Sequence, residues 1–102
     1  MRPSDLGPGL LLGDGVRIGE RVRFGAYVVV HPGTVIGDGC DLGPAIRLHD
    51  CVVGHSSRIE HTVGEEAEIG AGARVGPFAH LRPGAAVAPG SVTGAFYTGT
   101  AD

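Results

Sequence analysis

An all-β fold is what this sequence predicts: a single-stranded, left-handed parallel β-helix of hexapeptide repeats, four to five coils long. Two observations carry the prediction. An aliphatic or Phe residue returns every six positions along most of the chain. Glycine, 19 of 102 residues, clusters at fixed places between those returns, far above its usual share of about 7%. No helix has this period, because a 3.6-residue helix needs apolar residues three and four apart. The glycines do not recur every third residue, which excludes a collagen-like chain.

The anchors run in order along the chain. Leu12, Ile18, Phe24, Val30, Ile36, Leu42 and Leu48 are spaced by six. One five-residue step leads to Val53, and Ile59 follows at six. One four-residue step leads to Val63, followed by Ile69, Val75, Leu81 and Val87 at sixes. Four places after most anchors stands a second inward candidate, usually small, such as Val16, Val22, Val28, Thr34, Cys40, Ile46, Ser57, Ala67, Ala73, Ala79, Ala85 and Ser91. A period of six with one large and one small inward residue suits three short strands per triangular coil of about eighteen residues. Grouping by threes gives three columns. Leu12, Val30, Leu48, Val63 and Leu81 form the first, Ile18, Ile36, Val53, Ile69 and Val87 the second, and Phe24, Leu42, Ile59 and Val75 the third. Glycines three places after an anchor, such as Gly15, Gly33 and Gly39, suit corners that need φ > 0. The short steps near His49–Asp50 and His61–Thr62 read as tightened corners. Residues 1–9 read as an irregular N-terminal cap, 10–98 as the β-helix and 99–102 as a short tail.

Length allows one small domain. With 42% hydrophobic residues but no Trp, two Tyr and three Phe, the core must consist of thin aliphatic layers. Net charge is −3 and every cation is Arg. The arginines are scattered without a basic tract, which argues against nucleic acid or an acidic membrane surface as partner. There is no apolar run long enough to span a bilayer. Cys40 and Cys51 lack a CxxC pattern and fit buried, reduced thiols in a cytoplasmic protein.

The stretch from Ile69 to Gly84, IGAGARVGPFAHLRPG, carries more than the repeat. It resembles the IGxxAxVGPFAxLRPG signature of the bifunctional N-acetylglucosamine-1-phosphate uridyltransferase/glucosamine-1-phosphate acetyltransferase family. Val30-His31-Pro32-Gly33-Thr34 and Gly94-Ala95-Phe96 resemble further parts of that family's β-helix, so the likeness covers most of residues 10–96. The resemblance implies acetyl transfer from acetyl coenzyme A, a co-substrate and not a tightly bound cofactor, to the amine of glucosamine 1-phosphate. That step belongs to amino-sugar nucleotide and cell-wall precursor synthesis. It also implies a homotrimer with sites shared between chains. The family's Gly-rich nucleotide-binding start is absent, so uridyl transfer is not expected. By the same resemblance, Arg82 of the LRPG turn binds the phosphate of the acceptor sugar, and a guanidinium suits that task. A family Lys should lie near Thr100, where this sequence has none. The family's catalytic His, a Tyr and an Asn of the sugar site, and the coenzyme A contacts fall beyond Asp102. The expectation is therefore the N-terminal part of such a β-helix, with no catalytic residue assigned.

Two other readings stay open. One is a non-catalytic, trimerising β-helix module. The other is a zinc protein like the γ-class carbonic anhydrases, which hold zinc with three histidines across a subunit interface. His31 and His49 follow the first column one coil apart and should stand about 5 Å from each other, with Arg82 at the same place two coils later. The five histidines do not reproduce that family's spacing, and no metal is expected. Arg23, Asp41, Arg58 and Arg74 fall on one column, which reads as a surface charge ladder or a trimer contact and not as a substrate site.

Overall fold

A computed structural model describes residues 7–99. It is a left-handed β-helix of about five turns with no helix among the described residues. Three parallel sheets form its faces. The first contains β1 (Leu11–Leu12), β4 (Val28–Val30), β7 (Ile46–His49), β10 (Thr62–Glu65), β13 (Ala79–Leu81) and β15 (Thr98–Gly99). The second contains β2 (Arg17–Ile18), β5 (Val35–Ile36), β8 (Val52–Val53), β11 (Glu68–Ile69) and β14 (Ala86–Val87). The third contains β3 (Arg23–Phe24), β6 (Asp41–Leu42), β9 (Arg58–Ile59) and β12 (Arg74–Val75), extended by a bridge from Arg74 to Val92. Each coil donates its backbone N–H groups to carbonyls of the next, as in His31 N–H to Leu48 O at 2.7 Å and Gly43 N–H to Ile59 O at 2.8 Å. The ladder reaches back to Gly7, whose N–H donates to Phe24 O.

The core is a stack of aliphatic layers, with Ile36, Leu42, Leu48, Ile59 and Leu81 fully buried. Leu12, on the edge strand β1 of the first sheet, stays open. Cys40 and Cys51 are free and buried, and burial pushes both thiols above their ordinary pKa. The buried hydroxyls find partners: Ser57 Oγ donates to Gly54 O at 2.8 Å, and Thr62 Oγ1 donates to Glu60 O at 2.7 Å. No helix among the described residues is long and apolar enough to cross a membrane.

One anchor differs from the sequence expectation. Gly64, and not Val63, pairs with Leu48 and Leu81 in the first column. Val63 points outward and is 41% exposed. The segment from Leu48 to Ile69 therefore turns its corners in steps of five, six, five and five residues. The cause lies in the corner backbone. A six-residue corner has one left-handed residue three places after the anchor, such as Gly33 or Ser56. A five-residue corner places it two after, at Asp50, His61 and Glu66. Thr62 and Gly64 then face inward, and Val63 between them faces out.

The last inward positions keep the six-residue spacing, with Thr93 six after Val87, but lose their apolar side chains. Ser91 is only half-buried, whereas Thr93 is buried and its Oγ1 accepts the Gly76 N–H at 3.1 Å. A hydroxyl at this place closes a backbone donor that the fading apolar column would otherwise leave bare.

Candidate functional site

Arg82 follows the inward Leu81 at the end of β13, where the pleat turns the next side chain outward. Its backbone is fixed twice. The Arg82 N–H donates to Gly99 O at 2.9 Å, and its carbonyl accepts the Ala85 N–H at 2.9 Å across the Pro83-Gly84 corner. The side chain is exposed. Among the described residues, no carboxylate stands within ion-pair distance of its guanidinium.

The same edge of the first sheet carries His31, His49 and Glu65 on the preceding coils. Glu65 is in register with His49, and the pairing of Gly64 with Leu81 brings Arg82 alongside Glu65. His31 and His49 meet edge to face with ring centroids 5.8 Å apart. His49 Nε2 lies 3.4 Å from Asp50 Oδ2. A shallow hollow of about 270 Å³ is lined by His31, Arg47, His49, Gly64 and Glu65. The structure thus brings His31 and His49 together, with Glu65 between them and Arg82. The other histidines lie elsewhere: His55 beside Ser56, His61 against Phe78, and His80 on the outer face of β13. Among the described residues, no group of three His, Cys, Asp or Glu side chains is placed to hold a metal ion.

The charge ladder also forms. Strand pairing puts Arg23 beside Asp41, Asp41 beside Arg58, and Arg58 beside Arg74 on the outer face of the third sheet. The alternation of period-two side chains leaves Phe24, Leu42, Ile59 and Val75 inside.

One arrangement is not anticipated by residue type alone. At the corner leading into the first sheet, His61, Phe78 and Phe96 stack with centroid separations of 5.0 and 5.2 Å. All three adopt positive φ. The signal in the sequence is positional: His61 and Phe78 stand two and three places after the anchors Ile59 and Val75, and Phe96 three after the inward Thr93, in successive coils.

Residues 15–44 match the family model described as bacterial transferase hexapeptide (six repeats). No curated protein matches. Among solved structures, the acetyltransferase domain of PglB from Neisseria gonorrhoeae FA1090 is 24% identical with a TM-score of 0.67, over 88% of this chain and 48% of that one. A hexapeptide transferase family protein from Anaplasma phagocytophilum is 24% identical with a TM-score of 0.72, over 88% of this chain and 58% of that one. PerB from Caulobacter crescentus, solved in complex with CoA and GDP-perosamine, is 28% identical with a TM-score of 0.55, over 91% of this chain and 49% of that one. The chain spans about half the length of the structures it matches. The fold is the one found in hexapeptide-repeat acetyltransferases.

Proposed function

We propose that the chain is the β-helical part of an N-acetyltransferase that uses acetyl coenzyme A to acylate the amine of a phosphate-bearing amino sugar. Glucosamine 1-phosphate is the acceptor that the LRPG turn favours, in the synthesis of amino-sugar nucleotides and cell-wall precursors. The observation that carries the reading is the likeness, over nearly the whole chain, to a protein solved with CoA and a nucleotide-linked sugar. In the reaction the sugar amine attacks the thioester carbonyl. A C–N bond forms, the C–S bond breaks, the coenzyme A thiol leaves and the amine proton passes to a general base. Arg82 holds the acceptor phosphate. Its exposed guanidinium offers paired donors, and its backbone is pinned at N–H and carbonyl alike. The cytoplasm suits this role, as the compartment that supplies acetyl coenzyme A and keeps thiols reduced.

Free thiol release with acetyl coenzyme A and glucosamine 1-phosphate tests the reading. Arg82→Ala should lower kcat/KM by about 10- to 100-fold, the worth of a lost charge-assisted hydrogen bond. Glucosamine without the phosphate should be insensitive to the substitution. An equal loss for both acceptors would remove the phosphate role from Arg82.

The proposed assembly is a homotrimer that shares its sites between chains. Val35 and Val52 support it, standing in register on the flat second face and remaining 39% and 48% exposed. Light scattering should give about three chain masses, reduced to one by Val52→Glu. A monodisperse monomer of the unaltered chain would refute the trimer.

A further inference from the structure

Four of the chain's eight cationic side chains line one groove, although the whole chain carries a net charge of −3. Arg21, Arg23, Arg58 and Arg74 surround a hollow of about 410 Å³ where the second sheet turns into the third. The hollow exists because its corner positions include Gly39 and Gly72, which send no side chain into it. A volume of this size is that of a small-molecule site.

The register sets the charge pattern. Asp41 lies between Arg23 and Arg58. Arg58 and Arg74 face each other directly across one ladder step, with no acid between them. Like charges so placed repel. Among the described residues, no carboxylate stands within ion-pair distance of either guanidinium. An external anion would relieve that repulsion. Arg58 and Arg74 stand in register on strands spaced about 4.8 Å apart, and a guanidinium is a donor fork suited to phosphoryl oxygens. Asp41 interrupts the positive run, so the groove is no continuous track for a nucleic-acid backbone. The uninterrupted pair sets the anion at one or two phosphoryl groups.

We infer that the Arg58–Arg74 groove is a binding site for a phosphoryl anion of diphosphate size. It lies on a different face from Arg82 and stands independently of the acetyl-transfer reading. A free polyphosphate and the diphosphate of a coenzyme or nucleotide sugar share the chemistry it would recognise.

Isothermal titration of the full chain with inorganic pyrophosphate, coenzyme A and phosphate-free pantetheine tests the site. Pyrophosphate should bind at low salt, and added salt should weaken it. The double variant Arg58→Ala/Arg74→Ala should weaken binding at least about 10-fold, Arg82→Ala should leave it unchanged, and Asp41→Asn should strengthen it. Both arginines are exposed, and Arg58→Lys/Arg74→Lys keeps the charge as a folding control with partial binding. Coenzyme A bound with the same sensitivity, and pantetheine not bound, would identify a cofactor diphosphate as the source. Pyrophosphate binding alone would identify a free anion. The site is overturned if pyrophosphate does not bind, or binds the double variant as tightly as the unaltered chain. It is overturned also if the double variant instead lowers the assembly mass without any pyrophosphate binding, since the arginines would then meet acids of a second copy.

Discussion

Gly76→Ala is expected to cost about 4 kcal/mol or more of folding stability, a large share of what a small domain has. Two physical effects combine at this corner. Gly76 has φ of +98°, outside the left-handed region that a residue with a Cβ tolerates. An added Cβ would also run into the backbone carbonyl oxygen of Glu60, which cannot rotate away as a side chain could. The Gly76 N–H meanwhile donates to Thr93 Oγ1 at 3.1 Å, so moving the backbone breaks a contact between coils. In a solenoid each coil is held only by its neighbours, and a defect here separates the last coils from the rest. Thermal melting followed by circular dichroism should show a fall of roughly 15 °C or more. A shift of a few degrees would mean that the corner relaxes freely.

The second large effect is asymmetric between adjacent residues. Gly64→Leu should destabilise by about 3 kcal/mol, whereas Val63→Ser should change stability by less than about 0.5 kcal/mol. Gly64 sits inside between Leu48 and Leu81, and even a Cβ there would come within 3.2 Å of Cys51 Sγ and Leu48 Cδ2. A branched side chain has no space without pushing apart a filled layer. Val63 faces away from that layer. Urea denaturation of the two variants separates the alternatives. A larger loss from Val63→Ser than from Gly64→Leu would restore Val63 to the core.

This pair of residues also marks where the sequence is ambiguous. Fully buried anchors such as Ile36, Leu42 and Leu81 stand out because each is a large aliphatic residue at an unbroken six-residue spacing. Between Leu48 and Ile69 the spacing breaks, and the inward residue of one strand is a glycine. Glycine carries no hydrophobic signal, so the neighbouring valine draws the assignment. The corners hold the information that decides it. Asp50, His61 and Glu66 take the left-handed backbone more usual for glycine, and a polar residue at a shortened corner gives no strong local cue. At the site, the alignment of His31, His49 and Arg82 follows from counting repeats, since parallel pairing preserves register. Glu65 between them depends on the corrected anchor. The aromatic stack of His61, Phe78 and Phe96 shows only when corner positions are compared from coil to coil. The Arg58–Arg74 ladder is visible in the sequence as a column, but its hollow depends on the glycine corners beside it.

The most direct measurement of the proposed function follows a labelled acetyl group from acetyl coenzyme A in the presence of glucosamine 1-phosphate and nucleotide-linked amino sugars. The label should appear as an amide on the sugar amine, in proportion to the thiol released. Label remaining on coenzyme A with every amino-sugar acceptor, while the protein is folded and assembled, would contradict acetyl transfer by this chain.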